Sequence, residues 1–380
     1  AQATLAQARA RVPPHSLLRA HTACGRARRL VHARPGARWQ RGRGCHSTSA
    51  GWAGPRRVPT PWPKRGGDAE VVQTHAMAAT CGGPISSVCH AADLGAIIVG
   101  DTSGGVTVVD AASREKRREV RCESAVTCVA YAQPLRAFIS AEGSMAKDIS
   151  KVTVWDMDSL AKRTEMNYGN FLTDVIFVAE LHAIVSGDGA FMKDKQAGQV
   201  VIWNIDTLEQ HRKLRCTNPV TRVAFAAAMS AIISADRSNT LIVWDVESGA
   251  RRMEVHFDLL PWSIDYSPEL GAIAVGESNF KEHCGQLVVL DADTGARRFA
   301  LPCDAAVSSV AFVPDLGAVV CGDRSGQLSV WDLASRRRRS GLSMAAAVNA
   351  VAYDRGSKRL AAGDKSGAVA TWMSEQVAAG

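Results

Sequence analysis

A pattern of short apolar runs recurs seven times along the chain. Each unit begins with an apolar residue, two variable residues and then Val or Ile, and we call this Val or Ile the anchor. A turn follows, and then an apolar run that ends in Gly or Ala just before an acid. The anchors are Val88, Val129, Val175, Val223, Ile264, Val310 and Val351. Because self-similarity at a fixed period marks repeat architectures, these units are expected to form one array.

A second apolar run in each unit ends at a closing residue. The closing residues are Val109, Trp155, Trp203, Trp244, Leu290, Trp331 and Trp372, and six of them are followed by Asp110, Asp156, Asn204, Asp245, Asp291 and Asp332. From each closing residue to the next anchor the step is 20 residues, as from 109 to 129 and from 331 to 351. From anchor to closing residue the step varies between 21 and 28, so all the length variation lies in one connection.

The apolar runs are too short and too rich in turn residues for helices, and they have the two-residue period of strands. In the first unit they span residues 86–90, 96–100 and 105–110, and a fourth run follows a basic cluster at 118–122. Four strands per unit are typical of a propeller blade. We therefore predict an all-β, seven-bladed β-propeller over residues 76–380.

Over these residues the chain resembles the WD-repeat family, whose units end in a Trp-Asp pair and pack as four-stranded blades around a central channel. The family's Gly-His pair near the start of each repeat is missing throughout. The turns at 322–326 and 363–367 read Gly-Asp-x-Ser-Gly, with Ser where the family usually has Asp. These departures count against the buried Asp–His network of many family members.

The resemblance implies that the N-terminal side of the first unit supplies the last strand of the final blade, which leaves no open edge. Cys122, Cys216 and Cys303 each stand four residues before the first apolar residue of the following unit, and Cys81 stands four before Ile85. Residues 77–81 are therefore predicted to be the fourth strand of the seventh blade. These cysteines are interpreted as buried small residues rather than reactive thiols.

Three connections between second and third strands are longer than the rest, by five, seven and five residues in blades 2, 3 and 5. Each puts a large apolar side chain beside Lys and an acid: Met145, Lys147 and Asp148; Phe191, Met192, Lys193 and Asp194; Phe280, Lys281 and Glu282. Family geometry places these loops on one face of the ring, which we call the insert face. Because binding residues concentrate in loops on rigid scaffolds, we predict that this face contacts partner proteins. The alternative is that Met145, Phe191 and Phe280 cap their own blades.

Basic clusters open most fourth strands and would encircle the opposite rim, which we call the basic rim. They comprise Arg117 and Arg118, Lys162 and Arg163, Arg212 and Lys213, Arg251 and Arg252, Arg297 and Arg298, and Arg336, Arg337, Arg338 and Arg339. The rim could meet an acidic protein or a phosphate backbone. Protection of exposed strand edges against pairing is the favoured alternative, and the four-residue run is the part to test first for binding.

Charge is divided unevenly along the chain. Residues 1–67 contain fourteen Arg and Lys and no acid, whereas the remainder contains 31 Arg and Lys with all 37 Asp and Glu. The first part also holds half of the 14 Pro residues, so we predict a disordered extension over residues 1–75. Three hypotheses stay open for it: an organelle transit segment, an RNA-binding tail, or non-native sequence ahead of an initiator at Met77.

No catalytic motif is found: the sequence has no Gly-x-Ser-x-Gly elbow, no phosphate-binding Gly-rich loop and no His-Glu-x-x-His pair. The acids that open the turns after the second strands, which we call the turn acids, are Asp101, Glu142, Asp188, Asp236, Glu277, Asp323 and Asp364. Their periodicity favours acceptance of backbone hydrogen bonds over cation binding. A solvated loop is likewise favoured over a metal site for His283 and Cys284. We predict no enzymatic activity, cofactor or metal.

The sequence thus predicts a non-catalytic scaffold, a monomeric propeller that binds other proteins inside a hetero-complex. The ten cysteines form no Cys-x-x-Cys pair, which fits an intracellular and most simply cytoplasmic setting. No apolar stretch approaches the roughly 20 residues of a membrane span, so no membrane insertion is expected. The rival hypothesis is an RNA-associated subunit that uses residues 1–67 and the basic rim, located in the mitochondrion or another organelle if the N-terminus is a genuine leader.

Overall fold

The computed structural model describes residues 77–147, 149–189 and 197–379. In this part of the chain, 28 strands form seven antiparallel four-stranded sheets, and the first strands of neighbouring sheets contact one another in a closed cycle. The predicted seven-bladed propeller is confirmed. The expectations for residues 1–75 lie outside the described residues.

In blades 1 to 6 the strands run outward from the channel in chain order, and in blade 7 the outermost strand comes from the start of the described chain. Blades 1 to 3 consist of β2 (Ile85–Ala91), β3 (Ala96–Asp101), β4 (Gly105–Asp110) and β5 (Lys116–Arg121); β6 (Val126–Ala132), β7 (Ala137–Ser144), β8 (Ile149–Asp156) and β9 (Lys162–Tyr168); β10 (Phe171–Val178), β11 (Ala183–Gly189), β12 (Gly198–Asn204) and β13 (Gln210–Cys216). Blades 4 and 5 consist of β14 (Val220–Ala226), β15 (Ala231–Asp236), β16 (Thr240–Asp245) and β17 (Arg251–His256); β18 (Leu260–Ser267), β19 (Ala272–Asn279), β20 (Cys284–Asp291) and β21 (Arg297–Cys303). Blades 6 and 7 consist of β22 (Val307–Val313), β23 (Ala318–Asp323), β24 (Gln327–Asp332) and β25 (Arg338–Ser343); β26 (Val348–Asp354), β27 (Arg359–Asp364), β28 (Ala368–Met373) and β1 (Met77–Thr80).

Burial falls from the second strand of a blade to the fourth. Every residue of β3 is buried, because the blade is covered by a neighbour on each side, whereas every residue of β17 is exposed or half-buried. The apolar core lies between blades: Ile98 of blade 1 packs in one cluster with Phe138 and Trp155 of blade 2. Each blade therefore depends on its neighbours for burial of its apolar faces.

The ring closes as predicted. Strand β1 pairs with β28, with Ala79 opposite Val369, and the Cys81 N–H donates to the Gly367 carbonyl at 2.8 Å. On the channel side, the Asn349 side chain donates to the Ile85 carbonyl at 2.9 Å. A strand borrowed from ahead of the first blade thus covers the edge that β28 would otherwise expose.

Short helical elements complete the described chain. A C-terminal helix, α1 (Ser374–Ala379), was not predicted, and its Val377 is fully buried against the last two blades. The 3-10 turns are Ala92–Leu94, Gln133–Leu135, Met145–Lys147, Ala179–Leu181, Ala227–Met229 and Pro314–Leu316. No helix among the described residues is both long enough and apolar enough to cross a bilayer.

Candidate functional site

Hydrogen bonds along the channel join several of the blades to the next one. The residue before the anchor of one blade accepts the anchor N–H of the following blade: Ser87 accepts from Val129 at 3.2 Å, and Ser309 accepts from Val351 at 3.0 Å. Ser263 does the same for Val310 at 2.9 Å. The channel side chains therefore hold the blades in register rather than standing free for chemistry.

A cavity of about 410 Å³ in the channel contains the charged pair Asp174 and Arg222. Asp174 Oδ2 accepts the N–H of Val223 in the next blade at 2.9 Å, and its Oδ1 accepts the Cys128 thiol at 3.3 Å. Burial raises the pKa of the Cys128 thiol to about 12, so the thiol stays protonated at neutral pH. The pair stabilises the junction of blades 3 and 4 and offers neither a thiolate nucleophile nor an unbonded carboxylate.

Asp265 is the second channel acid with a blade-joining bond. Its Oδ2 accepts the Phe312 N–H of the next blade at 2.7 Å, and its Oδ1 accepts the Tyr266 N–H at 2.8 Å. Burial raises the pKa of this carboxyl. Each carboxylate oxygen thus accepts a backbone N–H, and the Asp265 side chain stabilises the junction of blades 5 and 6.

The turn acids act as predicted. Asp323 Oδ1 accepts the backbone N–H groups of Ser325 and Gln327 at 2.8 and 3.1 Å, and Asp364 repeats the arrangement. In the part of the chain that the structure describes, no histidine bonds to a turn acid, and Oδ2 of Asp101, Asp236 and Asp364 has no partner. The Asp–His network is thus absent from these turns, as expected.

Closing Trp residues bond to serines on the second strand. The Trp155 indole N–H donates to Ser140 at 2.9 Å, and Trp203 and Trp244 repeat this bond with Ser186 and Ser234 at 2.8 Å. The Cys122 thiol lies 3.7 Å from the Ser140 hydroxyl, and burial raises its pKa to about 11. This cysteine is a half-buried, protonated thiol. The predicted burial holds for Cys216, whereas Cys81, Cys122 and Cys303 are half-buried.

On the insert face of blade 2, Met145 is 45% exposed and Lys147 is exposed. Ile149, which the sequence reasoning missed, is 47% exposed at the start of β8, and these two are the exposed large apolar side chains among the described residues. Asp148 and the predicted site residues Phe191, Met192, Lys193 and Asp194 lie outside the described residues.

On the insert face of blade 5, Phe280 is half-buried between Trp262 and Arg324. Its ring centroid lies 4.8 Å from that of Trp262, edge to face, and 4.4 Å from the Arg324 guanidinium carbon. Lys281 and Glu282 are exposed, and their backbone N–H groups donate to Asn279 Oδ1. The sequence predicted Phe280 as a site residue but not Trp262 or Arg324. Arg324 could not be linked to Phe280 from the sequence because it lies in a turn of the next blade.

The family model described as WD domain, G-beta repeat, matches residues 298–332. These residues run from the fourth strand of blade 5 to the closing Trp331 and Asp332 of blade 6. This match to one repeat and the seven-bladed fold support a WD-repeat β-propeller family. Propellers of this family are generally scaffolds for protein interaction and are typically non-catalytic. No curated protein matches the chain.

On the opposite side of this WD-repeat propeller, the basic rim is tied to the acids that follow the closing residues. In five clusters one arginine forms an ion pair with the acid seven residues earlier: Arg117 with Asp110, Arg163 with Asp156, Arg252 with Asp245, Arg298 with Asp291, and Arg339 with Asp332. The bond from Arg298 is the largest cause that lowers the pKa of Asp291 to about 2. Five rim arginines therefore hold the ends of third strands.

The four-arginine run is only partly available for binding. Arg339 is paired as above, and Arg338 lies 3.7 Å from Asp304 in the loop between blades 5 and 6. Arg336 stacks over Phe299 at 5.2 Å, while Arg337 is exposed. Intramolecular contacts thus engage three of the four.

Metal-binding groups are not brought together among the described residues: no cluster of three His, Cys, Asp or Glu occurs there. His283 is exposed with a left-handed φ of 54°, and Cys284 is half-buried at the start of β20. The preferred interpretation of this pair as a loop element stays a prediction.

Proposed function

We propose that this propeller is a non-catalytic scaffold subunit that binds partner proteins through its insert face inside a larger intracellular, most simply cytoplasmic, assembly. The observation that carries the proposal is the pair Met145 and Ile149, which flank one insert and leave nearly half of each side chain in water. Exposed apolar side chains on loops of a rigid scaffold are the usual anchors of protein interfaces.

The chemistry of the channel supports a scaffold rather than an enzyme. Asp174 and Asp265 accept backbone N–H groups across blade junctions, and the Cys128 thiol is protonated at neutral pH. General acid–base or nucleophilic catalysis needs a group positioned toward a substrate with a pKa near the working pH. Asp174 and Asp265 instead stabilise the junctions between neighbouring blades.

The proposal is tested by affinity purification of the full chain from its native source, with the wild type compared with a Met145→Ser and Ile149→Ser double variant and with Phe280→Ser. We expect the variants to fold, because Met145 and Ile149 are exposed and Phe280 is only half-buried, and to lose a shared set of partners, because such side chains contribute much to an interface.

Arg337→Ser is the matched control, since Arg337 is exposed on the opposite rim. It should retain the partners that the insert-face variants lose. An unchanged partner set in both insert-face variants would count against the insert face as the contact surface.

The RNA-associated alternative is favoured by exposed bases of the basic rim, such as Arg337 within the four-arginine run. Binding to RNA that weakens steeply with salt and disappears when residues 1–67 are removed would support it, because release of counterions from phosphate is the signature of such contacts. Retention of protein partners at high salt would favour the scaffold.

A further inference from the structure

One position of the inner strand departs from the rest in blade 5. Two residues before each anchor stand Ser86, Thr127, Thr173, Thr221, Trp262, Ser308 and Asn349. Six of the seven are small polar residues whose side chains donate to backbone carbonyls. Blade 5 has a large aromatic residue at the position that elsewhere carries a stabilising hydrogen bond.

The bond missing at Trp262 is supplied by another residue. Thr173 donates to the first carbonyl of the next inner strand, at Val220, at 2.9 Å. The matching carbonyl beyond blade 5 belongs to Val307, and the Ser278 hydroxyl, which follows the turn acid Glu277, donates to it at 2.5 Å. The junction of blades 5 and 6 therefore does not need residue 262, and Trp262 is not explained by ring assembly.

Trp262 belongs to an apolar area on the insert face. It is half-buried against Phe280, and Leu259 and Leu260 ahead of it are also only half-buried. Arg324 is exposed and covers the other side of the Phe280 ring at 4.4 Å. A guanidinium stacked on an aromatic ring keeps its in-plane N–H donors free for a carboxylate.

The charges around this area favour an acidic occupant. Exposed Asp258 and Asp304 lie 3.9 and 3.7 Å from Arg297 and Arg338, respectively. Among the described residues no acid lies within ion-pair distance of Arg324 or of exposed Lys281.

The chain's own N-terminal segment is a poor complement. Residues 1–67 contain fourteen Arg and Lys and no acid, so Arg324 and Lys281 would repel it. The occupant is therefore sought in another protein.

We propose that Trp262, Phe280 and Arg324 form the docking site for a linear segment of a partner protein that carries an aromatic or large apolar side chain beside carboxylates. The apolar side chain packs against the Trp262 and Phe280 rings, and a carboxylate accepts hydrogen bonds from Arg324. This inference rests on the proposed function, because it assigns one part of the insert face to one class of partner.

The probe is a displayed library of random peptides, selected on the immobilised full-length chain. Selected peptides are then titrated against the wild type and against Trp262→Thr, Arg324→Glu and Lys365→Glu. Thr is the residue at the matching position of blades 2, 3 and 4, so Trp262→Thr preserves the strand, and Lys365→Glu makes the same charge change at the matching turn of blade 7. Circular dichroism and thermal melting establish that each variant folds.

We expect the selected peptides to be enriched in both acidic and aromatic residues. Their affinity should fall at least about tenfold in Trp262→Thr and in Arg324→Glu, as for buried interface anchors, and stay unchanged in Lys365→Glu. Three results would overturn the docking site. They are selection of peptides without acids, equal affinity for the wild type, Trp262→Thr and Arg324→Glu, and failure to select any peptide.

Two further variants separate this inference from the proposed function. Peptides that lose affinity for Met145→Ser but not for Trp262→Thr would overturn the docking site and leave the insert face as the contact surface. Peptides that lose affinity only for Arg337→Glu would overturn both. Self-association of the chain that Trp262→Thr abolishes would identify a second copy as the occupant and overturn the peptide assignment.

Discussion

Cys321 occupies the place beside Trp331 that a serine occupies beside the closing Trp of three other blades. Trp331 pairs with Val319, and Cys321 follows two residues later, just as Ser140 follows the partner of Trp155 by two. The Trp331 indole N–H has no hydrogen-bond partner among the described residues. Burial raises the pKa of Cys321 well above the ordinary value, so a neutral thiol faces the indole.

Cys321→Ser is therefore expected to stabilise the propeller by about 1 kcal/mol, because the hydroxyl gives the indole the acceptor that it lacks. The measurement is the urea midpoint at an unchanged slope. Ser234→Cys, which removes the acceptor of Trp244, is the mirror control and should lower the midpoint. A lower midpoint for Cys321→Ser would contradict this prediction, because it would show that the packing of the thiol stabilises the fold more than the hydrogen bond of the hydroxyl.

Ser309→Ala is expected to destabilise the fold by about 1 to 3 kcal/mol, because it leaves the buried Val351 N–H without its acceptor across the junction of blades 6 and 7. Ala350 stands at the matching position of blade 7, and Ala350→Ser is the complementary variant, which should offer an acceptor to the Val88 N–H. Hydrogen exchange of the Val351 amide should speed up in Ser309→Ala. An unchanged exchange rate would contradict the blade-joining role.

The rim ion pairs predict loss of stability in acid. The folded pKa of Asp291, at about 2, lies below the ordinary value of about 4. The stabilisation is therefore complete above the ordinary pKa and is lost as pH falls from there toward the folded pKa. The melting temperature of Asp291→Asn should fall less than that of the wild type over this window. Parallel curves for the two proteins would contradict the linkage.

The closing strand predicts a sharp boundary for truncation. A chain that begins at Met77 keeps the strand that pairs with β28 and should melt cooperatively, whereas one that begins at Gly82 exposes the edge of β28. We expect the shorter chain to melt at lower temperature and to aggregate. Equal melting temperatures would mean that the ring does not need the borrowed strand.

Repeat spacing was enough to predict the blades, since a constant 20-residue step requires the same structure in every unit. The ion pairs of the basic rim could also have been predicted from the sequence, because the acid and its arginine are seven residues apart in all five pairs, as in Asp110 and Arg117. Blade 3 has Asn204 in place of this acid, and His211 stands seven residues later.

The apolar area around Trp262 could not be derived in the same way. Arg324 reaches Phe280 from the next blade, and contacts between units depend on how far each loop leans across a junction. Repeat periodicity describes what units share, whereas Trp262 matters because it differs from the Ser, Thr and Asn of the other six units. Helix α1 was missed for a related reason, since it lies beyond the last repeat.

The central claim is that partners bind the insert face. Cross-linking of the native complex with a lysine-reactive reagent, followed by mass spectrometry, tests it most directly because the chain carries lysines on both faces. The account predicts partner cross-links at Lys147, Lys281 and Lys365 on the insert face. Cross-links concentrated instead at Lys162 and Lys213 on the basic rim would contradict it.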